Sequence, residues 1–153
     1  MRAQRGFTLV EILIVVVILG ILAAIVIPQF TQASTEAKTN SLASDLQSLR
    51  SQIELYKCQH NDTLPTLTNF PNAMVYTSDI NGGLSSPLNK QRVAPYNFGP
   101  YMERIPVNPF TNSNTVADWT ATSTTDGWRY NATTGEIKAA PDSTAQTTAH
   151  EAL

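Results

Sequence analysis

Cysteine is almost missing from this 153-residue chain: Cys58 stands alone, so no disulfide can close within it. Exported domains of this size often use such a bridge, and here packing must do without one. The two histidines, His60 and His150, lie far apart, and neither has a cysteine or acid at metal-ligand spacing. Lys and Arg number 10 against 12 acids, for a net charge of −2, which excludes a broad basic patch that would coat nucleic acid. No nucleophile elbow or phosphate-cradling loop is present, and Gly82-Gly83 reads as a bend. These absences point away from an enzyme. Glycine is missing between Gly20 and Gly82, and proline between Pro28 and Pro65. Last, no small-residue cleavage site follows the apolar run that ends at Ile27. Pro28-Gln29-Phe30-Thr31 comes instead, which excludes an ordinary secretory signal cut behind its apolar core.

What is present begins with that run. Basic Arg2 and Arg5 precede Gly6-Phe7-Thr8-Leu9-Val10-Glu11, and apolar residues then continue to Ile27. Roughly 20 such residues at ~1.5 Å rise cross a hydrocarbon core of ~30 Å. Glu11 is out of place there, because a carboxylate in a spanning helix costs roughly 2.5–3.5 kcal/mol on insertion scales. The small residue that a peptidase would accept lies before the core, at Gly6. A cut after Gly6 keeps the apolar segment and creates an α-ammonium on Phe7, one helical turn from Glu11. Pairing within one helix and pairing between neighbouring chains are both open. The second would stabilise an assembly, since an unpaired carboxylate is the costly state in lipid. A simple signal anchor with Glu11 snorkelling to the surface is the plainer alternative.

From Pro28 the helix changes style. Leu42, Leu46, Leu49, Ile53 and Tyr56 recur at spacings of four and three, one apolar stripe against a polar face. Cys58 is expected to pack near the end of this helix as a small apolar residue. His60-Asn61-Asp62-Thr63-Leu64-Pro65 should end it. An irregular stretch follows to about residue 114, with a short helical piece around 66–75 and aromatic residues that pin it to the stripe. Val116–Thr122, Gly127–Tyr130 and Glu136–Ala139 read as three short antiparallel strands, with a turn at Asn131–Gly135. The Leu42–Tyr56 stripe is the expected cover for their apolar face. The fold class is therefore α+β. Its divisions are a leader over 1–6, a spanning helix over 7–27, an amphipathic helix over 28–60, a loop-rich and β part over 61–140, and a mobile tail over 141–153.

The motif formed by Gly6, Phe7, Thr8, Leu9, Glu11 and Pro28 resembles the class III signal of type IV pilins and type II secretion pseudopilins. Gly99-Pro100-Tyr101, Ile105-Pro106-Val107-Asn108-Pro109-Phe110, Gly127-Trp128-Arg129-Tyr130 and Thr134-Gly135-Glu136-Ile137 are similar to G-type pseudopilin domains. The missing disulfide agrees with that side of the family, because many adhesive pilins carry one.

The resemblance implies a pilin-like fold, cleavage between Gly6 and Phe7 by a prepilin peptidase, and N-methylation of Phe7. It implies that Glu11 recruits or registers subunits in a filament, and that the helix melts locally between Gly20 and Pro28 during assembly. Implied partners are further copies of the chain, the peptidase, other pseudopilins, an inner-membrane assembly platform and membrane lipid, with no nucleic acid. The N-terminus would lie in the cytoplasm, by the positive-inside rule, and the C-terminal domain in the periplasm. A surface type IV pilin is the alternative, and a membrane-tethered ligand binder or anchored enzyme lies further off. G-type pseudopilins commonly hold calcium in a loop between late strands. Val116–Gly127 offers only Asp118 and Asp126 for that purpose, so no cofactor is expected and both acids are read as turn caps.

Overall fold

The computed structural model describes residues 7–141. Contacts divide the chain between Ala37 and Lys38 into two units. Helix α1 (Leu9–Gln59) supplies the described structure of the first unit and opens the second. In the first unit it continues through Pro28 as helix. Thr31 Oγ1 donates to Ile27 O at 3.2 Å and Thr35 Oγ1 to Thr31 O at 3.0 Å, so the hydroxyls behind the proline bond back onto their own helix.

The second unit is built on the stripe that the spacing predicts. Leu42, Leu46, Leu49, Ile53 and Tyr56 are all buried. They meet Phe70, Ala73 and Met74 of α2 (Phe70–Val75), Ile105, and the strand residues Trp128, Tyr130, Ile137 and Ala139. Full burial of one such aliphatic or aromatic side chain contributes about 1.5–3 kcal/mol, which makes this cluster the main source of the unit's stability. α2 is shorter than the expected piece: Pro71 lies in its first turn, where its missing N–H costs nothing, and the helix starts only at Phe70.

The end of α1 follows from its sequence. Asn61 and Asp62 take positive φ of 52° and 61°, and the Asp62 N–H donates to Lys57 O at 3.0 Å, closing a Schellman-type cap. Cys58 corrects an expectation: it is exposed. Two residues beyond Tyr56 is about 200° around the helix, which turns position 58 away from the core. His60, by contrast, is fully buried. Its ring stacks on Tyr56 with centroids 3.8 Å apart. Nδ1 lies 2.8 Å from Tyr56 O, a pure acceptor, so Nδ1 carries the proton and Nε2 accepts from the Ser78 hydroxyl at 2.9 Å.

The sheet has the order β1 (Val116–Asp118), β2 (Trp128–Tyr130), β3 (Ile137–Ala139). It is mixed, not wholly antiparallel as expected: β1 runs parallel to β2, and β2 antiparallel to β3. A parallel return needs a long crossover only when strands are long. Three residues rise only ~10 Å, and the loop from Trp119 to Gly127 is long enough to bring the chain back beside β1. Gly127 ends that loop, and a Cβ there would lie 2.2 Å from Ser113 O, so only glycine fits. The β2–β3 turn is closed by Asn131 Oδ1, which accepts the N–H of Thr133 at 2.9 Å, while Gly135 takes φ +81°. Trp128 Nε1 donates to Pro106 O at 2.8 Å and the Tyr130 hydroxyl to Pro65 O at 3.1 Å, tying the sheet to the irregular segment. Apart from buried Pro141, the expected tail lies outside the described residues, as does His150.

Candidate functional site

The site begins where α1 begins. Thr8 precedes the first helical residue, and Glu11 follows three positions later. The Thr8 N–H and the Thr8 hydroxyl both donate to Glu11 Oε2 at 2.7 Å, and the Glu11 N–H donates to Thr8 Oγ1 at 3.3 Å. This is a capping box, in which donors orphaned at the helix start are satisfied reciprocally. Its signature, Thr-x-x-Glu ahead of an apolar run, is legible in the sequence, and it gives Glu11 a local partner in addition to any amine. Among the described residues Glu11 Oε1 has no partner. In the uncut chain the Phe7 nitrogen is an uncharged amide, so the proposed cation exists only after cleavage. Gly6 lies outside the described residues.

Apart from Thr8, the described residues around the carboxylate and on to Ile27 are uncharged, nearly all apolar, and exposed. Every large apolar side chain from Phe7 to Ile27 is at least 41% exposed, and Phe7 itself is 83% exposed. The helix is long and apolar enough to cross a membrane. A contiguous apolar surface on this scale has to be covered by lipid or protein. Gly20 lies within it, and a Cβ there would meet nothing within 4 Å, so no packing among the described residues demands a glycine. Pro28 ends the apolar stretch inside the continuing helix.

The residues considered for calcium do not come together as a cage. Asp118 Oδ1 accepts from the Thr120 N–H at 2.9 Å and from its hydroxyl at 2.5 Å. Those bonds hold the Asp118 carboxyl below the usual carboxylate range. Asp126 Oδ1 accepts from the Thr115 hydroxyl at 3.3 Å. Among the described residues no group of three or more His, Cys, Asp or Glu side chains is placed to hold a metal ion, whereas calcium takes six to eight oxygens. The donor set does not fit that ion.

Residues 1–27 match the family model described as the prokaryotic N-terminal methylation motif. Over 115 residues the chain is 34% identical to type II secretion system core protein G of Aeromonas hydrophila, covering 72% of this chain and 71% of that protein. The chain belongs to the core protein G family. The same name is carried by a Pseudomonas aeruginosa relative, 33% identical over 111 residues (72% of this chain, 71% of that one), and by an Escherichia coli relative, 33% identical over 113 residues (71% and 68%). No solved structure matches the chain. The likeness extends well beyond the leader motif, so it includes part of the mixed-sheet unit, and it favours the secretion reading over the surface pilus. Motif and apolar helix together mark a membrane-anchored member of a secretion apparatus. The names of these relatives denote no enzyme.

Proposed function

We propose that this chain is the major structural subunit of a type II secretion pseudopilus, which polymerises to drive protein export across the outer membrane. The observation that carries the reading is a lone carboxylate, Glu11, at the start of the otherwise apolar and exposed Leu9–Ile27 stretch of α1 in a member of the core protein G family. The precursor is held in the inner membrane, N-terminus inward, by the apolar stretch. A prepilin peptidase cuts between Gly6 and Phe7 and methylates the new Phe7 amine. The resulting cation pairs with Glu11 of a neighbouring copy, and helices of many copies form the filament core with the sheet units outside. Gly20 and Pro28 allow the helix to give locally as each subunit leaves the bilayer. An assembly platform and other pseudopilins complete the machine.

The test is made on sheared filaments from cells that overproduce the chain. Intact mass should fit a polypeptide that begins at Phe7 and carries one added methyl group. Filaments built from a chain that still begins at Met1 would overturn the proposal, as would long shed surface fibres in cells whose secretion is unaffected by deleting the gene.

A further inference from the structure

The outer face of the sheet carries two cations side by side. Register places Ala117, Arg129 and Lys138 opposite one another on the three strands, hence on one face, while Trp128, Tyr130, Ile137 and Ala139 face the core. Like charges in cross-strand register repel, so something must offset them. The loop that follows β1 does so. Arg129 is only 6% exposed, and its Nη2 donates to Ser123 O at 2.9 Å. Lys138 Nζ lies 4.4 Å above the centroid of the Trp119 ring, in cation–π geometry. A buried charge is tolerated only where such partners exist. The loop thus meets its cations through a backbone carbonyl and an indole face, while Asp118 and Asp126 are engaged by threonines.

We propose that Arg129 and Lys138 serve as built-in cations which hold the Trp119–Gly127 loop in place of calcium, so that folding of this protein is independent of that ion. Three features make the exchange. The Ser123 carbonyl of the loop is occupied by the guanidinium, the carboxylates are too few for a cage, and two positive charges beside the loop repel a divalent cation. The role asked of Arg129 is electrostatic, so a lysine there retains part of it and a neutral side chain of similar length does not.

The experiment uses the full-length chain in detergent micelles, unpolymerised, so its outcome does not depend on the filament reading. Thermal unfolding is followed in excess EGTA and then in millimolar CaCl2. The expected Tm is the same in both. An ion bound at a hundredfold excess over its dissociation constant would raise Tm by roughly 10 °C or more, and a saturable rise of that kind overturns the proposal. R129M should lower Tm and speed proteolysis within residues 119–127, R129K should recover part of both, and K138M should give a smaller loss. Equal losses in R129M and R129K would show that side-chain fit, not charge, holds the loop, and would overturn it too. Should R129M fail to fold, K138M and the calcium arm of the unaltered chain still decide.

Discussion

Replacing Glu11 by Gln separates the capping role seen in the structure from the charge pairing proposed for assembly. Glutamine can still accept the Thr8 N–H and hydroxyl, both now 2.7 Å from Oε2, so the capping box survives. What disappears is the charge. An ionised carboxylate in the apolar span costs roughly 2.5–3.5 kcal/mol on insertion scales. If pairing with a neighbour's ammonium relieves that cost, the loss of the pair should weaken subunit addition by up to roughly 60- to 300-fold at ~1.4 kcal/mol per decade. Thr8→Ala makes the opposite cut. It keeps the charge and loses the cap, at about 0.5–2 kcal/mol of local helix stability. Membrane insertion of both variants is read by carbonate extraction, and polymer by cysteine-independent chemical cross-linking and sedimentation of sheared material. E11Q should insert normally and yield almost no polymer, whereas T8A should insert and assemble at reduced efficiency. Near-normal polymer from E11Q alongside failure of T8A would refute the pairing and leave Glu11 as a helix cap.

Two further outcomes follow from the second unit. Leu49→Ala, at a fully buried position, should cost about 2.7–5 kcal/mol, while Leu55→Ala, on the same helix but 43% exposed, should cost little, because alanine is the better helix former; denaturant unfolding followed by the buried Trp128 compares them, and equal losses would contradict the stripe. At alkaline pH, burial pushes the Tyr101 phenol up to about 12 and raises Tyr56 and Tyr130 as well. A raised folded-state pKa favours the protonated fold. This stabilisation is therefore complete below the ordinary phenol value near ~10 and is lost as pH rises from there through about 12. Ultraviolet titration should show these phenols ionising late and together with unfolding, and Tyr101→Phe should reduce the alkaline loss.

Sequence alone carried the helical parts because their periodicity is local. Leu42 to Tyr56 at spacings of four and three specify a one-sided burial, and the buried positions coincide with it. Asn61 and Asp62 announced the stop, and their positive φ carried it out. The sheet was legible as three short strands but not in its direction, since strand direction depends on where the Trp119–Gly127 loop travels and no residue in a three-residue strand encodes that. Cys58 was misplaced by its residue type, although the angular offset from Tyr56 was already available. His60 was hidden for a different reason: a polar residue in a turn sequence reads as solvent-facing, and only the tertiary arrival of Ser78 and the Tyr56 ring makes it a buried residue. In the N-terminal motif, Glu11 and Phe7 stand out by residue type alone, whereas the Thr8 cap depends on which way the Glu11 carboxylate turns.

On the proposed reading α1 passes from lipid into a polymer, and its composition limits the kind of force that can move it. Its stripe from Leu42 to Tyr56 needs cover on one side, and the second unit supplies that cover itself. The stretch from Leu9 to Ile27 is apolar on all sides but for Glu11, and its large apolar side chains stay exposed among the described residues. Lipid tails and the side chains of other copies are equally apolar, so exchanging one for the other gains little from the hydrophobic effect. A net preference for protein neighbours must therefore come from close packing or from a polar group that fares worse in lipid than in the assembly. From Phe7 to Thr35 the only ionisable side chain is Glu11. The large free-energy difference between an unpaired and a paired carboxylate in an apolar medium makes it the one residue in this stretch able to supply electrostatic preference. That is why a substitution as small as one oxygen for one NH2 should separate an inserted helix from an assembling one.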